Sequence, residues 1–460
     1  MNRILWAGCF LVGVCLCVAG ASAQTTVDSN GTSGSWSSTG TWTPAVVPNN
    51  GGGNTYNVNI LNTPNPVVIT LDEDVTINNL SISANSALNL SSGNSLTVNG
   101  DVVNSGGLAV PVFDEYGGTL TVGGSFTNEE DGSLVIENEG VASVGSFTNS
   151  GSLEVGFSGT LNITGGGPGI TDIPASASIL LAGTINVING GVVSNGLGSL
   201  NSIEGSLVFE NLATTVDTPG SGTLTITNPG QLTLFNSALD VNGSLHTSGG
   251  VNVALTTLNV AGNAVNSGQM DIITGSLNVG GTFTNESGGE LSLGGFGIMP
   301  SGPLVAKIEQ AFVNGGLVSV GPTTLLTVGG YQQSASGTLS ESMLGSSLFG
   351  VTDVKGAVSL DGALDVLLAP GFRPTVGETF DIMNFTPGDL TGTFSSIENE
   401  DFAFEMWEVE YDNSAGEILL EAELNPSATT TPEPAPFVLL GTGLLGICYV
   451  GRRRMRKAAV

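Results

Sequence analysis

The sequence predicts an all-β fold, a right-handed parallel β-solenoid with a β-rich C-terminal cap, and three observations carry that expectation. Glycine makes up 69 of the 460 residues while Lys, Arg and Met are scarce, so turns and strands outweigh helices. Leu and Val alternate with Thr, Asn and Asp over short runs, the mark of half-buried strands. Above all, the runs recur: LTVNGDVVNSGGLAV (96 to 110), LTVGGSFTNEEDGSLVI (120 to 136), LDVNGSLHTSGGVNV (239 to 253), LNVAGNAVNSGQMDI (258 to 272) and LNVGGTFTNESGGELSL (277 to 293), with SVGSFTNSGSLEV (143 to 155) as a shorter copy. Val98, Val122 and Val144, then Val241, Val260 and Val279, stand 19 to 24 residues apart. A period of that length belongs to a repeat architecture, and residues 60–344 would supply roughly 13 or 14 coils. A β-sandwich of hairpins explains the alternation but not the period.

From the N-terminus, residues 1–23 read as a secretory signal peptide: Arg3, an apolar run, then the small pair Ala21 and Ala23 before Gln24, with cleavage expected after Ala23. Residues 24–59 would cap the first coil. Trp36 and Trp42 are its candidate lids, with an aromatic platform for sugar rings as the alternative. In the solenoid, Gly-Gly and Asn-Gly are expected to bend the chain through positive φ. Phe126, Phe147 and Phe283 should return inward. Asn104, Asn128, Asn149, Asn266 and Asn285 recur at one bend, either as a hydrogen-bonded ladder or simply as good turn residues. Residues 345–424 read as irregular final coils or a small all-β cap, and residues 425–431 as an extended linker.

Charge and cysteines bound the functions. Forty acidic residues face only Lys307, Lys355 and Arg373 between the two ends, a net −37 for the exported part, which argues against nucleic-acid binding. Cys9, Cys15, Cys17 and Cys448 all lie in the terminal segments, so no disulfide is expected in the body. A polysaccharide lyase needs clustered cations, and these three are isolated. A hydrolase needs converging carboxylates. The triplets Asp72-Glu73-Asp74 and Glu129-Glu130-Asp131 are the candidates, read more readily as solvated turn charge, since successive strand residues face opposite ways. His246, the single histidine, reads as a surface substitution in a repeat. Calcium remains an alternative, because residues 398–412 and 129–132 concentrate oxygen ligands without an EF-hand or RTX motif. No catalytic residue, metal ligand or cofactor is therefore assigned, and the expected role is non-enzymatic.

The C-terminal residues carry the most specific signal. Pro432-Glu433-Pro434 is followed by a short apolar helix over 437–450 and then by Arg452, Arg453, Arg454, Arg456 and Lys457. By the positive-inside rule this basic cluster would stay cytoplasmic and act as a stop-transfer lock. Fourteen apolar residues fall short of the ~20 that span a bilayer comfortably, so only a transient stay in the inner membrane is expected. In this order, residues 432–457 closely resemble the PEP-CTERM sorting family. That resemblance implies cutting by a membrane-embedded exosortase, export in Gram-negative bacteria that make extracellular polysaccharide, and final residence at the cell surface or outside. The succession GAVSLDGALDVLL, GFRPTVGETFDIM and LTGTFSSI, the W-x(5)-W opening and the G-x-[FV]-x-N repeats also resemble autotransporter-like passenger domains. The implied role is structural or adhesive, with extracellular polysaccharide or other surface proteins as partners. A polysaccharide-active hydrolase or a calcium-dependent binding module on the same scaffold are the alternatives.

Overall fold

A computed structural model describes residues 23–62, 65–110, 116–218, 222–294, 304–399 and 405–424. The predicted sorting motif, the helix over 437–450, the basic cluster and Ala21 lie outside these residues. Strands hold 60% of the chain and helices 1%, and they wind into a parallel β-solenoid of about 13 turns, as the repeat requires. Two compact units divide at Gly262 and Asn263.

In the first unit each turn contributes three short strands, and each strand pairs in parallel with its equivalent one turn later. Val102–Asn104 adds to Asn79–Ile82 in one row, Gly107–Val110 to Ala87–Leu90 in the next, and Thr119–Asn128 to Ser95–Val98 in the third. Parallel pairing puts like on like. Leu108, Leu134, Leu153, Ile179, Leu207 and Leu232 form one continuous column, each at most 1% exposed. Their neighbours, among them Ser133, Ser152, Ser178, Ser206 and Thr233, point to the outer face, which is why burial alternates along the strands. Winding starts before residue 60: Ala23–Ser29 already lies in parallel on Asn54–Ile60, pairing Gln24 with Thr55. Trp36 and Trp42 close this end as an edge-to-face pair 4.8 Å apart. Both are buried, and their indole N–H groups donate to the carbonyls of Pro48 and Trp36. They are core residues, not a sugar platform.

One interruption breaks the third row. After Thr184–Asn189 the chain turns through Gly190 and Gly191 and returns as Val192–Asn195, antiparallel to the strand it has just left. Regular pairing resumes with Ala213–Val216 on Ala238–Val241.

The second unit repeats the three rows. Ala264–Asn266, Phe283–Asn285 and the end of Leu304–Asn314 stack in one of them, with Phe283, Phe312 and Tyr331 in a ring column spaced 5.2 and 5.6 Å. Parallel winding continues past residue 345, through Ala363–Leu368 to Ser396–Asn399. It ends in an antiparallel cap, where Thr379–Asn384 pairs with Glu417–Leu424 and that strand with Glu405–Asp412. Phe380 and Trp407 seal the cap from inside. Coils and cap thus coexist in this region.

The asparagines do form ladders. In the first unit Asn104 donates to Asn128 at 2.8 Å and Asn128 to Asn149 at 2.7 Å. In the second, Asn266, Asn285, Asn314 and Gln333 form a chain of amides of their own at 2.9 to 3.1 Å. All are buried. Phe126 and Phe283 are fully buried, whereas Phe147, stacked 5.7 Å from Phe126, is partly exposed.

Gly190, Gly191 and Gly288 take the expected positive φ, but other repeat glycines work differently. Gly100, Gly123, Gly124, Gly145 and Gly151 are absent from the positive-φ backbone positions. They are needed because the chain passes tightly over the turn below: a Cβ on Gly151 would sit 2.2 Å from the carbonyl oxygens of both Glu129 and Gly132.

Candidate functional site

The acidic residues proposed for catalysis are not assembled. Asp72 accepts hydrogen bonds from the Ser37 amide at 2.9 Å and its hydroxyl at 2.6 Å. Asp74 accepts from the Ser95 amide and hydroxyl, both at 2.8 Å. The two carboxylates are therefore aimed at different turns. Slight burial pushes the Asp72 pKa up, but the Ser37 bonds outweigh it and leave it below the usual value. The Ser95 hydroxyl and then its amide hold Asp74 low. Glu129, Glu130 and Asp131 occupy an exposed turn.

Asp101 repeats the motif, accepting from the Ser125 amide at 2.7 Å and hydroxyl at 2.8 Å, and Asp172 accepts from Ser202 at 2.5 Å. Asp361 accepts from the Ser395 hydroxyl and the Gly362 amide. In each Asp–Ser pair the serine stands 21 to 35 residues away, so these carboxylates tie separate passes of the chain together rather than standing ready for chemistry. The hydrogen bonds favour the ionised form of Asp72, Asp74, Asp101 and Asp361, the opposite of what a general acid requires.

The cations are also apart. Lys307 pairs with Glu309 and Lys355 with Asp353, both on the surface, and Arg373 is exposed on a loop. His246 sits on Ser244–Thr247 with its side chain toward solvent. Among the described residues no three His, Cys, Asp or Glu side chains are placed to hold a metal ion. Glu408, Glu410, Asp412, Glu417, Glu421 and Glu423 line one outer face, where Glu408 lies opposite Glu421. A hydrogen bond that protonated Glu423 donates to Glu408, together with the Glu408 charge, raises the Glu423 pKa.

Two features escaped the sequence reading. One is Glu341, fully buried on Thr338–Gly345 between Val320 and Val366 of the adjoining turns. Neither carboxylate oxygen has a hydrogen-bond partner, and burial drives its pKa well above the usual range, the nearby Thr352 hydroxyl opposing this only in part. The signal was available: TLSE stands where another copy reads ELSL, placing Glu where the column calls for an aliphatic residue.

The other is an open groove of about 360 Å³ where three successive turns bend, lined by Asn211 to Ala213, Asn236 to Ala238 and Leu255 to Thr257. Asn211, Asn236 and Leu255 occupy equivalent left-handed positions, with φ of 55°, 47° and 58°. Asn236 donates to Asn211 at 2.7 Å. Asparagine tolerates this conformation, but Leu255 bears its strain at an exposed position. The groove offers amides, hydroxyls and short apolar side chains, a lining suited to uncharged polar ligands.

No family model matches the chain, and no curated protein matches it in sequence.

Proposed function

We propose that the chain is an exported, non-enzymatic β-solenoid with a structural or adhesive role at the cell surface or in the extracellular matrix. In this reading a PEP-CTERM-like tail is cut by an exosortase-type enzyme after a transient stay in the inner membrane. The observation that carries the non-enzymatic role is the use made of the acids: Asp72, Asp74, Asp101, Asp172 and Asp361 are spent on chain-to-chain hydrogen bonds. Buried amide ladders add to the same end, since satisfied polar columns fix the register of stacked turns. Cleavage after Ala23 would keep Gln24 to Asp28 paired with Thr55 to Asn59 in the first turn, which is compatible with export.

Mass spectrometry of both termini, with fractionation of the cells, tests the reading. The expected mature chain begins at Gln24, has lost the segment 437–460 and lies outside the inner membrane. Replacing Pro432-Glu433-Pro434 should leave the tail attached and the protein membrane-bound. An untrimmed chain, or unchanged processing in the variant, would sink the sorting assignment. Release of reducing ends from extracellular polysaccharide, abolished by one carboxylate substitution, would instead establish a hydrolase.

A further inference from the structure

The hairpin that interrupts the third row of the first unit is built like a contact surface. Its outgoing strand, Thr184–Asn189, is paired on one side with Thr160–Ile163 and on the other with the returning strand Val192–Asn195. All four residues of the returning strand are exposed, Val192 at 69% and Val193 at 60%. Asn195 ties the strand's end down, donating to the Thr215 carbonyl at 2.7 Å and the Thr214 hydroxyl at 2.9 Å. Among the described residues Val192, Val193 and Ser194 make no backbone hydrogen bond outside the hairpin. Alternate N–H and C=O groups of a strand point to each side, so this edge presents unpaired groups to solvent.

Exposed edges normally carry a lysine, a proline or a bulge that blocks further pairing. This one carries none of them. The run from Ile173 to Ile203 contains no Asp, Glu, Lys or Arg, in a chain with forty acids. Two copies of so acidic a protein repel each other over most of their surface. The uncharged hairpin is where they can meet without placing carboxylate against carboxylate. Its β-branched pair, Val192 and Val193, supplies apolar surface to both sides of such a contact.

We propose that Val192–Asn195 pairs edge to edge with the same strand of a second copy. The pairing is antiparallel about a two-fold axis, so that each strand completes the other's hydrogen bonds. A strand this short gives a weak contact in dilute solution. It gains effect where many copies are held close together and several contacts act at once. The contact is independent of whether the chain is exported.

Sedimentation velocity on the full chain in detergent micelles, over a range of protein and salt concentrations, tests this. Val193→Lys puts a charge on the edge without removing a backbone donor. Val305→Lys, at a surface valine that is 38% exposed on Leu304–Asn314, is the control. The wild type should show a dimer that grows with protein concentration and with sodium chloride up to about 0.5 M, as repulsion between copies is screened. Val193→Lys should weaken dimerisation about tenfold or more, and Val305→Lys should leave it unchanged. A wild type that stays monomeric, dimers that persist in Val193→Lys, or equal loss in both variants would overturn the proposal.

Discussion

Glu341 is the residue where chemistry and packing conflict most sharply. It holds the place of Ile272, Leu293 and Val320 in the aliphatic column of the second unit, with no partner for either oxygen. The titratable group nearest in the interior is Tyr331, itself fully buried and pushed up; Asp353 and Asp365 lie on the outward faces of the adjoining strands. A neutral carboxyl is tolerated there and an ionised one is not. Below the ordinary Glu value of 4.5, native and unfolded chains are both protonated and no penalty arises. As pH rises above it, the unfolded chain releases its proton while the native one retains it, so stability falls until the raised native pKa is reached. Glu341→Gln should therefore match the wild type in urea unfolding near pH 4 and exceed it by about 1–3 kcal/mol near pH 7. An equal difference at both pH values would exclude ionisation as the cause. Gly151 poses a purely steric problem. Gly151→Ala drives a methyl into two carbonyl oxygens and should cost about 1–3 kcal/mol, whereas Gly51→Ala, with open space around it, should cost little.

Among elements, the asparagine ladder decides the register. Asn285 bridges three turns of the second unit: it accepts from Asn266, and its amide nitrogen lies at hydrogen-bond distance from Asn314 and the Leu317 carbonyl. Asn285→Leu keeps the bulk but takes from the Asn266 amide and the Asn314 oxygen one hydrogen bond each in the core, leaving them only the Glu290 carbonyl and the Gly316 amide. The loss should be about 1–3 kcal/mol in urea unfolding, and a neutral result would reduce the ladder to decoration. Such rows were legible in the sequence because parallel stacking superimposes equivalent positions, so a 19 to 24 residue period in Val, Phe and Asn maps directly onto columns. Trp36 and Trp42 were legible as lids for a related reason: large rings beside turn residues must cover something apolar. Legibility failed where the period failed. The hairpin over Thr184–Asn195 lies in a stretch without a clean repeat, and Glu341 lies in a degenerate copy that the pattern search did not align. Gly100, Gly123, Gly124 and Gly145 were found for the wrong physical reason, since sequence marks a residue without a side chain but not whether torsion, as at Gly190 and Gly288, or close approach demands it.

For the molecule as a whole, the balance to explain is forty acids against three cations between Asp28 and Glu433. Parallel winding would bring equivalent acids into register, and like charges opposite one another destabilise a sheet, as at Glu408 and Glu421. Several aspartates offset this by accepting hydrogen bonds from serines, which holds Asp74, Asp101 and Asp361 ionised but leaves their charge in place. The residual repulsion is long-ranged and open to solvent, so salt should screen it once the Debye length falls to about 10 Å or less. The thermal midpoint should accordingly rise as sodium chloride is increased from about 0.02 to 0.5 M. Calcium separates general screening from a specific site. If the acids act only as a diffuse field, calcium chloride at matched ionic strength in about 0.5 M sodium chloride adds little, because the field is already screened. A bound ion would keep stabilising the native state there, in proportion to the logarithm of its concentration above the dissociation constant. With no three-acid cluster among the described residues, the expected outcome is the first: a salt-dependent midpoint that millimolar calcium does not raise further.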